Sequence, residues 1–260
     1  QQEHISKNIA EHFKHRDEIY AYITGKAELD TILPFADEES CNGGHQNMNY
    51  VGEYGEDDFI IRCIAALSIG ATKDTSDPLQ LIGNDLYYNT EFIVRAMVRS
   101  GLPIDIIIRS LGWQIDSSYC KEVIINKITA IMPEFKDKAT IIDVSKMAVS
   151  SRLLYIRLLD IADSNKYKDE FFALCDDNSK VIKAELVKVI SAHKDWYDDV
   201  CKLLAQKKSA KRETALMIIE NQGADAYRTE LEKAYATEKS EKLKSKISAL
   251  LGSEAKPAEI

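Results

Sequence analysis

Long apolar runs are missing from these 260 residues. The longest candidates, such as residues 104–108, fall far short of the roughly 18 residues that cross a bilayer, so no membrane span is expected. No basic-then-apolar leader opens the chain, which begins at Gln1 and closes on the polar tail 253–260; an excised piece of a longer protein is the expectation. Cys41, Cys63, Cys120, Cys175 and Cys201 form no CxxC pair. An odd, dispersed set argues against a disulfide framework and for a reducing cytoplasm, with buried small hydrophobe as the default role. An excess of positive charge is lacking as well: 34 Lys and Arg face 42 Asp and Glu, a net charge of −8. Strong nucleic-acid binders show a clearly basic domain instead. There is no G-x-S-x-G and no cysteine in a reactive context, and Gly43-Gly44 and Gly52/Gly55 match no phosphate-cradling pattern. An enzyme reading therefore has no positive support, and no catalytic residue, cofactor or metal is expected.

What the chain does have is a period. Asn165-Lys166-Tyr167, Asp195-Trp196-Tyr197 and Asp225-Ala226-Tyr227 recur at 30-residue spacing. Ser179, Ser209 and Ser240 recur at 30 and 31 residues, each just before a helical pattern. Ile156, Leu186, Leu216 and Ile247 form one apolar column; Leu159, Val189, Ile219 and Leu250 form another three residues on. That i, i+3 spacing marks one helix face, and Ser and Asn/Asp are the residue types that cap helix starts. Each unit thus reads as cap, helix, turn, cap, helix, and a fixed period of this size signals stacked repeats. Tyr167, Tyr197 and Tyr227 could form an aromatic ladder for a ligand. Packing between units is the preferred role, because a single unit cannot bury its apolar face alone.

These columns, over residues 141–252, resemble the HEAT-like repeat family, the two-helix unit of scaffold proteins and phycobilisome-lyase-type repeats. The stretch Lys207 to Glu220, followed by Leu231-Glu232-Lys233-Ala234 and Glu238 to Leu243, is more specifically similar to the repeat region of bacterial MolR-like proteins. The resemblance implies an all-α fold, an α/α superhelix of right-handed sense, and a concave binding face. It supplies no catalytic motif.

Residues 1–140 read as a less regular helical half. An amphipathic helix is expected over residues 5–24, stopped by Gly25. A long polar loop follows at 34–57. Helices then run from Asp57-Asp58 to Gly70, from Thr90 to Ser100, from Ile104 to a stop near Gly112-Trp113, and from Ser118 to Met132. The β-branched run at 104–108 could be a strand, but Pro103 suits a helix start.

Charge is uneven: residues 1–140 hold 13 Lys and Arg against 22 Asp and Glu, and residues 141–260 hold 21 against 20. The sharpest basic feature is Lys202, Lys207, Lys208, Lys211 and Arg212 at a turn between units, which could meet phosphate or an acidic protein. Arg95 and Arg99, i and i+4 on one helix face, form a looser set with Arg109. Cys41 and His45, with Asp37, Glu38 and Glu39, make the best metal candidate, but one Cys and one His lack a second pair in register, so a solvated acidic loop is the expectation. His4, His12 and His15 read as surface residues, and His193 as a turn residue without a partner. The resulting expectation is a non-enzymatic scaffold binding a protein partner or another domain of a longer parent chain. A nucleic-acid module using the basic edge is the alternative, and an enzyme with its site at the 37–58 loop the least favoured.

Overall fold

The computed structural model describes residues 1–39, 57–71, 79, 82 and 85–252. Among these residues the secondary structure is helical throughout, with no strand. The chain divides into two compact units, residues 1–162 and 163–260.

Unit 1 is organised around one apolar helix. Its elements are α1 (Gln2–Ala10), α2 (Arg16–Ile23), α3 (Asp58–Gly70), α4 (Leu86–Arg99), α5 (Ile104–Ser117), α6 (Lys121–Ile131) and α7 (Val149–Asp163), the last ending at the unit boundary. In α3, 11 of 13 residues are buried. A helix apolar on all sides needs partners on all sides, and α1, α2, α4 and α5 all pack against it. Lys127 of α6 donates to the carbonyl of Tyr87 at 3.1 Å, and Glu134 beyond α6 accepts from Arg95 at 2.7 and 2.8 Å. Contacts that advance together along both helices set α4 and α6 parallel.

Two expected helices are corrected. Residues 5–24 are not one helix: α1 ends at Ala10 and α2 starts at Arg16. The backbone N–H groups of Lys14 and His15, which a continuous helix would give to carbonyls four residues back, donate to the Glu39 carboxylate at 2.8 and 2.7 Å. The helix from Ile104 does not stop near Gly112; it runs on to Ser117. Gly112 is a close-approach residue: a Cβ there would lie 2.3 Å from the Ser151 backbone nitrogen of α7. The β-branched run 104–108 is helical, with Pro103 in the cap position. Helix α4 begins at Leu86, earlier than its expected start at Thr90, but its dihedrals break at Asn89. Gly25 does end α2, with φ of 74°.

Unit 2 alternates two kinds of helix. One set is α8 (Lys168–Ala173), α10 (Tyr197–Leu204) and α12 (Arg228–Thr237), with starts 29 and 31 residues apart. The other is α9 (Lys180–Ser191), α11 (Ser209–Gln222) and α13 (Glu241–Leu250), with starts 29 and 32 apart. Glu213 of α11 reaches Lys183 of α9 at 3.8 Å and Lys242 of α13 at 2.7 Å. At the far end of α11, Gln222 donates to the carbonyls of Ile190, Ser191 and His193 at 3.2–3.3 Å. Helices α9 and α11 are therefore parallel neighbours, and α13 adjoins α11 at its first turn. The other set is bridged likewise: Lys168 to Asp199 at 2.7 Å, Trp196 Nε1 to Asn165 Oδ1 at 3.0 Å, and Tyr197 stacked on Tyr227 at 4.6 Å. Ile156, Leu186, Leu216 and Ile247 are all buried. Ser179 and Ser240 occupy cap positions, but Ser209 lies one residue inside α11, with Lys208 at its cap.

Candidate interaction surfaces

The five basic residues around the turn before α11, from Lys202 in α10 to Arg212 in α11, lie in unit 2, and most are already answered by acids. Lys208 meets Asp176 at 2.6 Å and Lys202 meets Asp199 at 3.0 Å. Arg212 forks onto Glu238 at 2.8 and 3.0 Å and donates to the carbonyls of Gln206 and Lys207. Glu238 has a side chain only 3% exposed and also accepts from the N–H groups of Lys239 and Ser240. Hydrogen bonding to Arg212 holds its carboxyl below the ordinary glutamate value; Lys208 does the same for Asp176, and Lys168 followed by Lys202 for Asp199. Lys211 lowers Asp176 further through space.

Beside this turn lies a groove of about 610 Å³ between α10 and α12. Lys207, Arg212, Lys233 and Lys239 line it with Glu230 and Glu238, beside Cys201, Leu204, Ala205, Ala234 and Thr237. The Tyr197–Tyr227 stack joins the two helices at their N-terminal ends.

The tyrosine column is displaced by one residue in its middle member. Tyr167 and Tyr227 cap α8 and α12 and are 4% and 2% exposed, while Trp196 holds the equivalent place before α10 at 3%. Tyr197 is the next residue, half-buried, with its ring on Tyr227. His193, expected without a partner, stacks flat on Trp196 with centroids 4.0 Å apart.

In unit 1, Arg95 is held bidentately by Glu134, and Arg99 reaches Asp58 at 3.5 Å. The two flank a small pocket of about 260 Å³ walled by Ile61, Phe92, Ala96 and Phe135. Arg109 pairs with Asp37 instead and stands apart from them.

Of the acidic-loop candidates, Cys41 and His45 lie outside the described residues. Asp37 is exposed, but Glu39 is buried at 2%. Its carboxylate also binds the Nδ1 of His15, whose ring stacks on Phe35 at 3.8 Å, and His15 Nε2 is 4.0 Å from Glu38. His15 is thus not the surface residue expected, since three groups 20 to 24 residues away enclose it. Nothing in its local sequence signals this. Among the described residues no three His, Cys, Asp or Glu side chains group to hold a metal ion. Cys63 and Cys175 are buried; desolvation pushes both thiols up, Cys175 to about 12.

Compared with known proteins, the chain matches no family model, no curated protein and no solved structure. Among the described residues no helix is long and apolar enough to cross a membrane.

Proposed function

We propose that the chain is a non-enzymatic helical-repeat scaffold of HEAT-like kind, binding a protein partner or another domain of a longer parent chain. The observation behind this reading is the side-by-side register of unit 2, in which Glu213 links α9, α11 and α13 while Trp196–Asn165 and Tyr197–Tyr227 link α8, α10 and α12. Helix pairs added at a near-constant period grow an extended face rather than an enclosed pocket, and such faces serve association. On this reading the stack continues as an α/α superhelix akin to the MolR-like repeat region, in a reducing cytoplasm that suits the free cysteines.

Ion pairing weighs against the nucleic-acid alternative. Lys202, Lys208 and Arg212 are engaged by Asp199, Asp176 and Glu238, so a phosphate would have to displace carboxylates rather than fill open positions. The test is affinity capture with the tagged chain from nuclease-treated lysate, beside retention of labelled DNA and RNA at low salt. A stoichiometric protein partner is expected. Nucleic-acid retention that falls steeply with salt and disappears in Lys208→Glu/Lys211→Glu, without a protein partner, would overturn the reading.

A further inference from the structure

We propose that the groove between the C-terminal halves of α10 and α12 seats an acidic stretch of a partner polypeptide. The inference rests on the scaffold reading and names the chemistry of its partner.

Charge complementarity is the argument. Residues 163–200 hold 6 Lys and Arg against 9 Asp and Glu, but residues 201–252 hold 11 against 7. The groove lies within this second, positive stretch. Both of its carboxylates are occupied from within: Glu238 by Arg212 and two backbone N–H groups, Glu230 by Lys233 at 2.8 Å. Lys207 and Lys239 line the same groove, are exposed, and have no ion-pair partner among the described residues. Two uncompensated ammonium groups in a groove also lined by Cys201, Leu204, Ala205 and Ala234 suit a segment that alternates carboxylates with apolar side chains. A nucleic-acid strand would need a longer run of open cations, whereas here Glu230 and Glu238 interrupt the basic wall. Carboxylates on a peptide can be spaced to meet Lys207 and Lys239 and avoid the other two.

The experiment is fluorescence anisotropy with a short labelled peptide of alternating Glu and Leu, its Gln-for-Glu counterpart, and single-stranded DNA. Each is titrated against the full chain, Lys207→Glu/Lys239→Glu and Lys207→Arg/Lys239→Arg, after circular dichroism shows equal folding. The Glu peptide should bind the wild type, lose at least tenfold with the charge-reversed variant or the Gln peptide, and keep its affinity with the Arg variant. Equal binding by all variants, or DNA bound more tightly than the peptide, overturns the proposal. So does self-association in sedimentation that the charge reversal abolishes, because the occupant is then a second copy. If the charge-reversed chain still captures the wild-type partner from lysate, the groove assignment falls and the scaffold reading stands. If the wild type binds the Glu peptide yet captures no protein, the scaffold reading falls and the groove remains.

Discussion

Gly112→Ala tests the packing of unit 1 where α5 and α7 approach closely. In most exposed helical positions this change is stabilising by about 1 kcal/mol, because alanine is the better helix former. Here the added Cβ would lie 2.0 Å from Ser151 Oγ, 2.3 Å from its nitrogen and 2.6 Å from its Cα. The hydroxyl can rotate away, but the backbone atoms cannot. Restoring ordinary contact requires α5 and α7 to separate by roughly 1 Å, and overpacking of this kind costs about 1–3 kcal/mol or more in a close-packed interior. With two backbone atoms inside 3 Å, the upper end applies, leaving a net loss of about 2 kcal/mol after the propensity gain. For a unit of 162 residues that lowers the midpoint by roughly 4–8 °C. The chain's two tryptophans divide between the units, Trp113 in unit 1 and Trp196 in unit 2, so thermal unfolding followed by Trp113 fluorescence in a Trp196→Phe background reads unit 1 alone. Ser151→Ala should not rescue the loss, since it removes only the hydroxyl. A neutral or stabilising Gly112→Ala, or full rescue by Ser151→Ala, would refute the argument.

In unit 2, Arg212→Ala strips the fork from Glu238, leaving a nearly buried carboxylate with only the N–H groups of Lys239 and Ser240. A loss of about 2 kcal/mol is expected in urea unfolding read by Trp196, with Arg212→Lys recovering part of it. The carboxyls of Asp176, Asp199, Glu213 and Glu238 are all held below ordinary values by lysine or arginine hydrogen bonds. Their folded forms bind protons less readily than the unfolded chain, so their contribution is complete above the unfolded values of 3.8 and 4.5 and is lost as pH falls through the lower folded ones. An acid titration of unit 2 stability should therefore fall below about pH 4.5, and a flat profile there would contradict the assignment. Asn165→Ala leaves the indole N–H of a tryptophan 3% exposed without its acceptor and should cost about 1–2 kcal/mol in a Trp113→Phe background. Glu39→Ala should remove hydrogen-exchange protection from the Lys14 and His15 amides, leaving those of α3 protected. Unchanged protection at both amides would mean the carboxylate does not hold the break between α1 and α2.

Apolar periodicity located most of the helices, because it reports which face a helix buries, a property local to about two turns. It misplaced features set by distant residues. Nothing near residues 11–15 announces a break, since the carboxylate that captures those N–H groups belongs to Glu39. Gly112 looks like a terminator because glycine commonly ends helices; its reason here is the approach of Ser151, 39 residues on. The helical run at 104–108 went against β-propensity, and the flanking Pro103 was the better guide. The buried column Ile156, Leu186, Leu216 and Ile247 keeps steps of 30, 30 and 31, but the helix starts step by 29 and 31 in one set and by 29 and 32 in the other. A column built on a constant 30 therefore selects Tyr197 where the equivalent buried residue is Trp196.

The same locality limits charge. Lys202, Lys207, Lys208, Lys211 and Arg212 form an open cationic patch when counted along the chain. Folding of unit 2 brings Asp176 and Glu238, which lie 26 to 32 residues away, to within 3 Å of Lys208 and Arg212. On the repeat reading proposed above, a side chain about 30 positions away belongs to the adjoining layer. Asp177 and Glu238 accept the N–H of Ser179 and Ser240 ahead of α9 and α13, whereas Gln206 precedes α11 at the corresponding point. The carboxylate found ahead of α9 and α13 is thus an amide ahead of α11, beside Lys207 in the α10–α12 groove.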